Sequence, residues 1–196
     1  SSPDFKKGTV MLKLDNRGEY ENLVKTIKKG RDINEFTTSD DPKFRTLFTY
    51  AMHERSLLYA NKVADLVTRK KVGKLIDIGC GPGSYSVAIL KKDKNALATL
   101  MDRNAAIKVA RDIYIKESIY KRLKFISGDI FFDEFGCGHN TAFLSNIIHI
   151  YDVRKNKTIF EKINQALVKG GRFILYDYFL SDTKIKPYNA ALFSIT

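Results

Sequence analysis

A chain of 196 residues, of which 44% are hydrophobic, can bury a sizeable core, so its composition excludes a disordered protein. The net charge of +12 indicates either a solvated basic surface or a nucleic-acid partner, and the scatter of the basic residues favours the surface. No apolar run is long enough for a membrane span, and no signal peptide is visible. Cys80 and Cys137 lack the spacing of a metal site or a disulfide framework, so we expect a cytoplasmic protein.

The first 40 residues do not continue the pattern of the rest of the chain. Residues 9–20 favour a strand followed by a turn, and residues 23–30 favour a short amphipathic helix. A strand and turn this short are not stable alone. We therefore predict that residues 1–40 are the end of an N-terminal domain with its linker, and that residues 41–196 form the second domain.

A long helix is predicted next. Asp40-Asp41-Pro42 is typical of a helix start, and residues 43–68 carry apolar side chains at helical spacing. Most of these side chains are expected in the core. Tyr50, Met52 and Arg55 are the members of this helix that could reach a ligand.

The central motif is a glycine turn between a strand and a helix. An apolar strand over residues 74–78 runs into three glycines at alternate positions, and residues 84–90 continue as a helix. This is the opening unit of a nucleotide-binding doubly wound sheet, in which a ligand can lie against bare backbone. A dinucleotide site would need its third glycine at position 84, which is Ser84. The candidates here are Asp77, Gly79, Gly81 and Gly83.

Strands and helices then alternate to the end of the chain, which predicts a parallel sheet. Four candidates lie at the carboxyl ends of its strands, where an open α/β sheet binds ligands. They are Asp77, Asp102, Asp129 and His149. The predicted strands are 96–102, 123–130, 141–147 and 172–179, and the predicted helices are 105–118 and 153–168, with Gly170-Gly171 ending the second.

Asp102 ends the second strand, about 20 residues after the glycine turn, where an acid binds both hydroxyls of a ribose. The alternative is a helix N-cap. His149 follows the fourth strand, and a neutral imidazole there can take a hydroxyl proton as the oxygen attacks. Asp177, on the adjacent fifth strand, is placed to orient it. We assign structural roles to His53 and His139.

Several stretches resemble the S-adenosylmethionine (SAM)-dependent O-methyltransferases of the plant-phenol and hydroxyindole type, a class I Rossmann-like family. The resemblance extends in order over about residues 20–180. It is carried by Phe48-Thr-Tyr-Ala-Met52, by the glycine turn with Asp77, by Ser127-Gly-Asp-Ile-Phe-Phe132, by Leu144-Ser-Asn-Ile-Ile-His-Ile-Tyr-Asp152, and by Ile163 to Asp177.

The resemblance implies methyl transfer from SAM to a hydroxyl of a small, aromatic molecule, leaving S-adenosylhomocysteine. His149 would be the general base and Asp177 would orient it. Asp102 and Asp129 would hold the ribose and the adenine, although an Asx turn is the alternative for Asp129. The predicted cofactor-binding residues are Asp77, Gly79, Gly81, Gly83, Asp102, Asp129, Ile130 and Ser145.

The resemblance also implies a homodimer joined through an N-terminal winged-helix domain, with residues 1–19 as its final wing. Because the family's last helices and strands would follow Thr196, we expect a fragment. Ile150 and Tyr151 replace the family's usual Asp-Trp. No Asp/Asn cluster that could hold Mg²⁺ is found, so we expect no metal. The alternatives are an RNA methyltransferase and a SAM-binding module without catalysis.

Overall fold

Five parallel strands form the centre of the molecule in a computed structural model that describes residues 8–11, 28, 41–188 and 190. Their order, β3-β2-β1-β4-β5, confirms the predicted Rossmann-like doubly wound sheet. The strands are β1 (Lys74–Ile78), β2 (Leu97–Asp102), β3 (Leu123–Ser127), β4 (His139–Ser145) and β5 (Leu167–Tyr176). The helices are α1 (Pro42–Val67), α2 (Ser84–Lys92), α3 (Asn104–Tyr114) and α4 (Val153–Ala166), with 3₁₀ turns at Ser118–Arg122 and Ile148–Ile150.

Both faces of the sheet are covered, because successive strand residues point to opposite sides. Leu75, Leu100 and Phe143 pack on one side in a cluster with residues of α1, α2 and α3. Ile76, Leu144 and their neighbours pack on the other side with α4. The carboxyl ends of the strands are thereby held at one edge.

Helix α1 matches its predicted bounds within one residue. The Asp41 side chain caps it by accepting hydrogen bonds from the N–H groups of Lys43 and Phe44, at 3.3 and 2.9 Å. Pro42 follows as the first helical residue, where no partner for an N–H group is needed.

The strand predicted from Thr9 is wrong for the described residues, because residues 8–11 are helical. The Glu54 carboxylate of α1 accepts hydrogen bonds from Gly8 N at 2.8 Å, Thr9 N at 2.9 Å and Thr9 Oγ1 at 2.7 Å. This contact satisfies N–H groups at the start of a helical turn and outweighs the strand preference of Thr9 and Val10. Apart from Lys28, the turn and helix predicted up to residue 30 lie outside the described residues, and the domain boundary stays a prediction.

The second correction concerns Gly170 and Gly171, which do not end a helix. Helix α4 already ends at Ala166, and β5 runs through both glycines. Pairing with β4 jumps from His139–Leu167 to Thr141–Arg172, so the intervening residues bulge out. Gly170 has a φ of 77°, which permits that bulge. Smaller boundary errors also occur, since β3 ends at Ser127 and β4 begins at His139.

Several basic side chains bind backbone carbonyls. Arg122 donates to the carbonyl oxygens of Leu90, Asp93, Lys94 and Ala96. Arg172 donates to carbonyl oxygens at and just after the end of α1, and Lys162 donates to carbonyl oxygens in the loop after β3. Part of the positive charge therefore stabilises turns. Among the described helices, none is long and apolar enough to cross a bilayer.

Candidate active site

The three glycines of the turn after β1, Gly79, Gly81 and Gly83, have positive φ angles. They differ in what a side chain at each position would contact. A Cβ at Gly79 would lie 2.5 Å from Ile147 Cδ1, so Gly79 allows the end of β4 to pack against the turn. A Cβ at Gly83 would meet Leu100 Cδ1 at 2.6 Å. At Gly81 no heavy atom of the described residues lies within 4 Å of such a Cβ. Gly81 is therefore the glycine at which a ligand could approach bare backbone.

Asp102 holds this turn from the end of β2. Its Oδ2 accepts the Gly81 N–H at 2.7 Å, and its Oδ1 accepts the Arg103 N–H at 2.7 Å. Burial raises the pKa of Asp102, although these two hydrogen bonds oppose the shift. The alternative of a helix cap is not observed, because the N-cap residue of α3 is Arg103, whose side chain makes no capping hydrogen bond. Each carboxylate oxygen retains a lone pair for a further donor.

Asp77 is a buried carboxylate with one oxygen unused. Ser86 Oγ donates to its Oδ2 at 2.6 Å, whereas no donor among the described residues reaches Oδ1. Burial raises the pKa of Asp77 to about 7, against the effect of the Ser86 bond and with a contribution from the nearby Asp102 charge. A ligand donor at Oδ1 would satisfy a group that is costly to leave unpaired.

The raised pKa of Asp77 predicts a pH dependence of stability. The unfolded carboxyl titrates near pH 4, so between about pH 4 and pH 7 the folded state holds a proton that the unfolded state has lost. Stability therefore falls as pH rises through this window. Between about pH 5 and pH 8 the free energy of unfolding of the ligand-free protein should fall by about 3 kcal/mol more than that of Asp77→Asn. Urea unfolding at pH 5 and pH 8 measures this free energy, with Asp112→Asn as the exposed control. Equal losses in the wild type and in Asp77→Asn would contradict the prediction.

Asp129 forms an Asx turn, which was the predicted alternative to an adenine contact. Its Oδ1 accepts the Phe131 N–H at 2.8 Å, and its Oδ2 lies 3.2 Å from Arg103 Nη2. Ile130, the next residue, packs against the apolar cluster on the α4 side. An adenine contact by Asp129 and Ile130 stays a prediction.

Ser145 is buried at the end of β4. Asn146 follows it with a φ of 54°, and its N–H donates to the Tyr176 carbonyl at 2.9 Å. This bond joins the ends of β4 and β5 beside the site. A role of Ser145 in cofactor binding stays a prediction.

His149 and Asp177 are brought together as their strands predict. His149 Nδ1 lies 2.6 Å from Asp177 Oδ1, and the Asp177 side chain is fully buried. Asp177 also accepts the N–H groups of Ile147 and Ile148 at Oδ2, and that of Tyr178 at Oδ1. Burial raises the pKa of Asp177, but the hydrogen bonds from His149 and the backbone outweigh it and leave the pKa below its usual value. This carboxylate therefore stays ionised beside the imidazole.

The other two histidines lie apart from this pair. His53 Nδ1 lies 2.8 Å from Ser84 Oγ, at the start of α2, and burial lowers its pKa. His139 Nε2 lies 3.2 Å from the Phe135 carbonyl oxygen. His53 on α1 thus supports the glycine turn, and no local sequence pattern predicts this contact. No cluster suited to a metal ion occurs among the residues that the structure describes.

Arg103 and Tyr178 are two site residues for which the sequence predicted no role. Arg103 pairs with Asp129, as described above, and thereby links the ends of β2 and β3. The Tyr178 ring lies edge-on to His149 with 6.4 Å between ring centroids. The sequence signal for the contact between Tyr178 and His149 was the presence of an aromatic residue directly after Asp177.

Residues 20–196 match the family model of the O-methyltransferase domain. The chain belongs to this family. One relative is the 3-hydroxy-5-methyl-1-naphthoate 3-O-methyltransferase of Streptomyces sahachiroi, 26% identical over 166 residues that cover 84% of this chain and 47% of that protein. The chain spans about half the length of the curated relatives it matches.

Two solved members of this structural neighbourhood show the same fold. An O-methyltransferase family protein from Burkholderia thailandensis has a TM-score of 0.83 and 19% identity, covering 100% of this chain and 60% of its own. Human N-acetylserotonin methyltransferase in complex with SAM has a TM-score of 0.82 and 17% identity, covering 99% and 59%. The predicted family and the Rossmann-like fold are confirmed, whereas the N-terminal winged-helix remnant stays a prediction.

Proposed function

We propose that this O-methyltransferase domain transfers a methyl group from SAM to a hydroxyl of a small, aromatic molecule, with His149 as general base. The observation that carries the proposal is the 2.6 Å contact between His149 and the buried Asp177 beside the glycine turn. Ile147 connects the two parts, because its side chain packs at Gly79 and its N–H binds Asp177.

The residues at the turn suit the cofactor. Gly81 would let the ligand approach the backbone, Asp102 would bind ribose hydroxyls, and Asp77 would use its unpaired oxygen. Gly79, Gly83, Asp129, Ile130 and Ser145 complete the proposed set. When bound, SAM supplies an electrophilic methyl group, and S-adenosylhomocysteine remains after transfer.

The base works through its two ring nitrogens. Asp177 engages Nδ1, and we assign acceptance of the hydroxyl proton to the other ring nitrogen, Nε2. The acceptor oxygen loses this proton as its new bond to carbon forms. The ionised Asp177 stabilises the imidazolium that results, because it lies within hydrogen-bond distance.

The glycines provide a direct test of the cofactor site. Gly81→Ala should cost about 1–2 kcal/mol of stability, from its φ of 53°, and should place a methyl group in the space proposed for SAM. Gly79→Ala should destabilise more, since its Cβ also collides with Ile147. Thermal unfolding with and without SAM measures both. Full stabilisation of Gly81→Ala by SAM would contradict the assignment.

The activity test is an assay of the full-length protein with SAM and a panel of hydroxyarenes, scored by S-adenosylhomocysteine and by the mass of the methylated product. We expect both with at least one phenol or naphthol. SAM binding without any product would favour the non-catalytic module, and methylated RNA with salt-sensitive binding would favour the RNA methyltransferase. The homodimer and the cytoplasmic location remain predictions.

A further inference from the structure

Arg55 is an exposed cation on α1 that is tied to the base through one tyrosine. Its Nη2 donates to the Tyr178 hydroxyl at 2.9 Å. Tyr178 in turn lies edge-on to His149 and donates its backbone N–H to Asp177 Oδ1 at 2.8 Å. The guanidinium is therefore held at a set position relative to His149, one tyrosine ring away.

Within the described residues, no carboxylate neutralises Arg55. Its neighbour Glu54 binds Gly8 and Thr9 instead. A guanidinium has five N–H donors, and the bond to Tyr178 uses one of them. The remaining donors form a planar fork that matches a carboxylate.

We propose that Arg55 binds the carboxylate of an aromatic hydroxy acid whose hydroxyl is presented to His149. Tyr178 lies alongside the acceptor ring and holds the guanidinium at that distance. This inference rests on the proposed function and names its substrate class. It assigns Arg55 to substrate selection, while proton transfer remains with His149.

Binding is the primary readout, because it does not depend on turnover. Calorimetry of the full-length protein with S-adenosylhomocysteine compares 3-hydroxybenzoate and a hydroxynaphthoate with their methyl esters. The wild type should bind each acid about 10–100-fold more tightly than its ester, the range of a charge-assisted hydrogen-bonded pair. Arg55→Met should lose this preference and Arg55→Lys should keep part of it. Lys62→Met, which removes an exposed charge from the same helix, should keep all of it.

Equal binding of acid and ester by the wild type would overturn the inference, as would a preference that survives in Arg55→Met. The same panel, assayed for methylated product, separates this result from the proposed function. Methylation of esters and acids alike, with no dependence on Arg55, would leave the methyltransferase standing and remove the carboxylate site. Arg55-dependent binding without methylation of any acceptor would support the carboxylate site and contradict the proposed methyltransferase activity.

Discussion

His149→Ala is expected to lower kcat by about 10²–10⁴, the usual contribution of a general base. The substitution removes the imidazole that contacts Asp177 and leaves the bond between Asp102 and the glycine turn intact. SAM binding should persist. Steady-state assays on an accepted hydroxyarene measure the loss, and calorimetry measures the binding.

Added imidazole should restore part of the activity of His149→Ala, since a small base can occupy the vacated space. His139→Ala is a control for histidine removal, because His139 is the first residue of β4, at the opposite end of that strand from the site, and its ring contacts the Phe135 carbonyl. A His149→Ala protein with wild-type kcat would exclude the base assignment and leave methyl transfer to another group.

Asp177→Ala is expected to reduce both stability and turnover. It leaves the N–H groups of Ile147, Ile148 and Tyr178 without their acceptor, and the loss should reach about 3–5 kcal/mol. Because the folded pKa of Asp177 is lowered, its stabilisation is present above about pH 4 and disappears as pH falls further. Urea unfolding at neutral pH and in acid tests both statements.

Asp177→Asn separates structure from catalysis. The amide keeps the size of the side chain but lacks the charge that stabilises an imidazolium, so we expect kcat to fall by about 10²–10⁴ with a smaller loss of stability. Asp152→Ala, which removes the cap of α4, should cost only about 1 kcal/mol. Full activity in Asp177→Asn would show that the pair has no part in proton transfer.

The outline of this site was predictable because it follows from chain order. Parallel strands that alternate with helices end at one edge, so residues after β4 and β5 were expected at the same edge, and the pairing of β4 with β5 makes His149 and Asp177 neighbours. The glycines with positive φ could be located for a similar reason, since few other residues tolerate such a turn.

Contacts between distant side chains and backbone were not predictable. The bond from Gly81 to Asp102 and the three backbone bonds to Asp177 depend on register and loop geometry, which a local pattern does not contain. The helical residues 8–11 depend on Glu54, more than 40 residues away, and this tertiary contact overrides local preference. The bulge at Gly170 likewise depends on pairing with β4.

Binding of SAM through Asp102 is tested by calorimetric titration of SAM into the full-length protein and into Asp102→Ala, with the fold checked by circular dichroism. We expect one SAM site per wild-type chain and binding weaker by about 10–100-fold in the folded variant, because hydrogen bonds to a carboxylate are lost. A wild-type protein that does not bind SAM would contradict the proposed cofactor, and a variant that binds SAM equally well would contradict the role of Asp102.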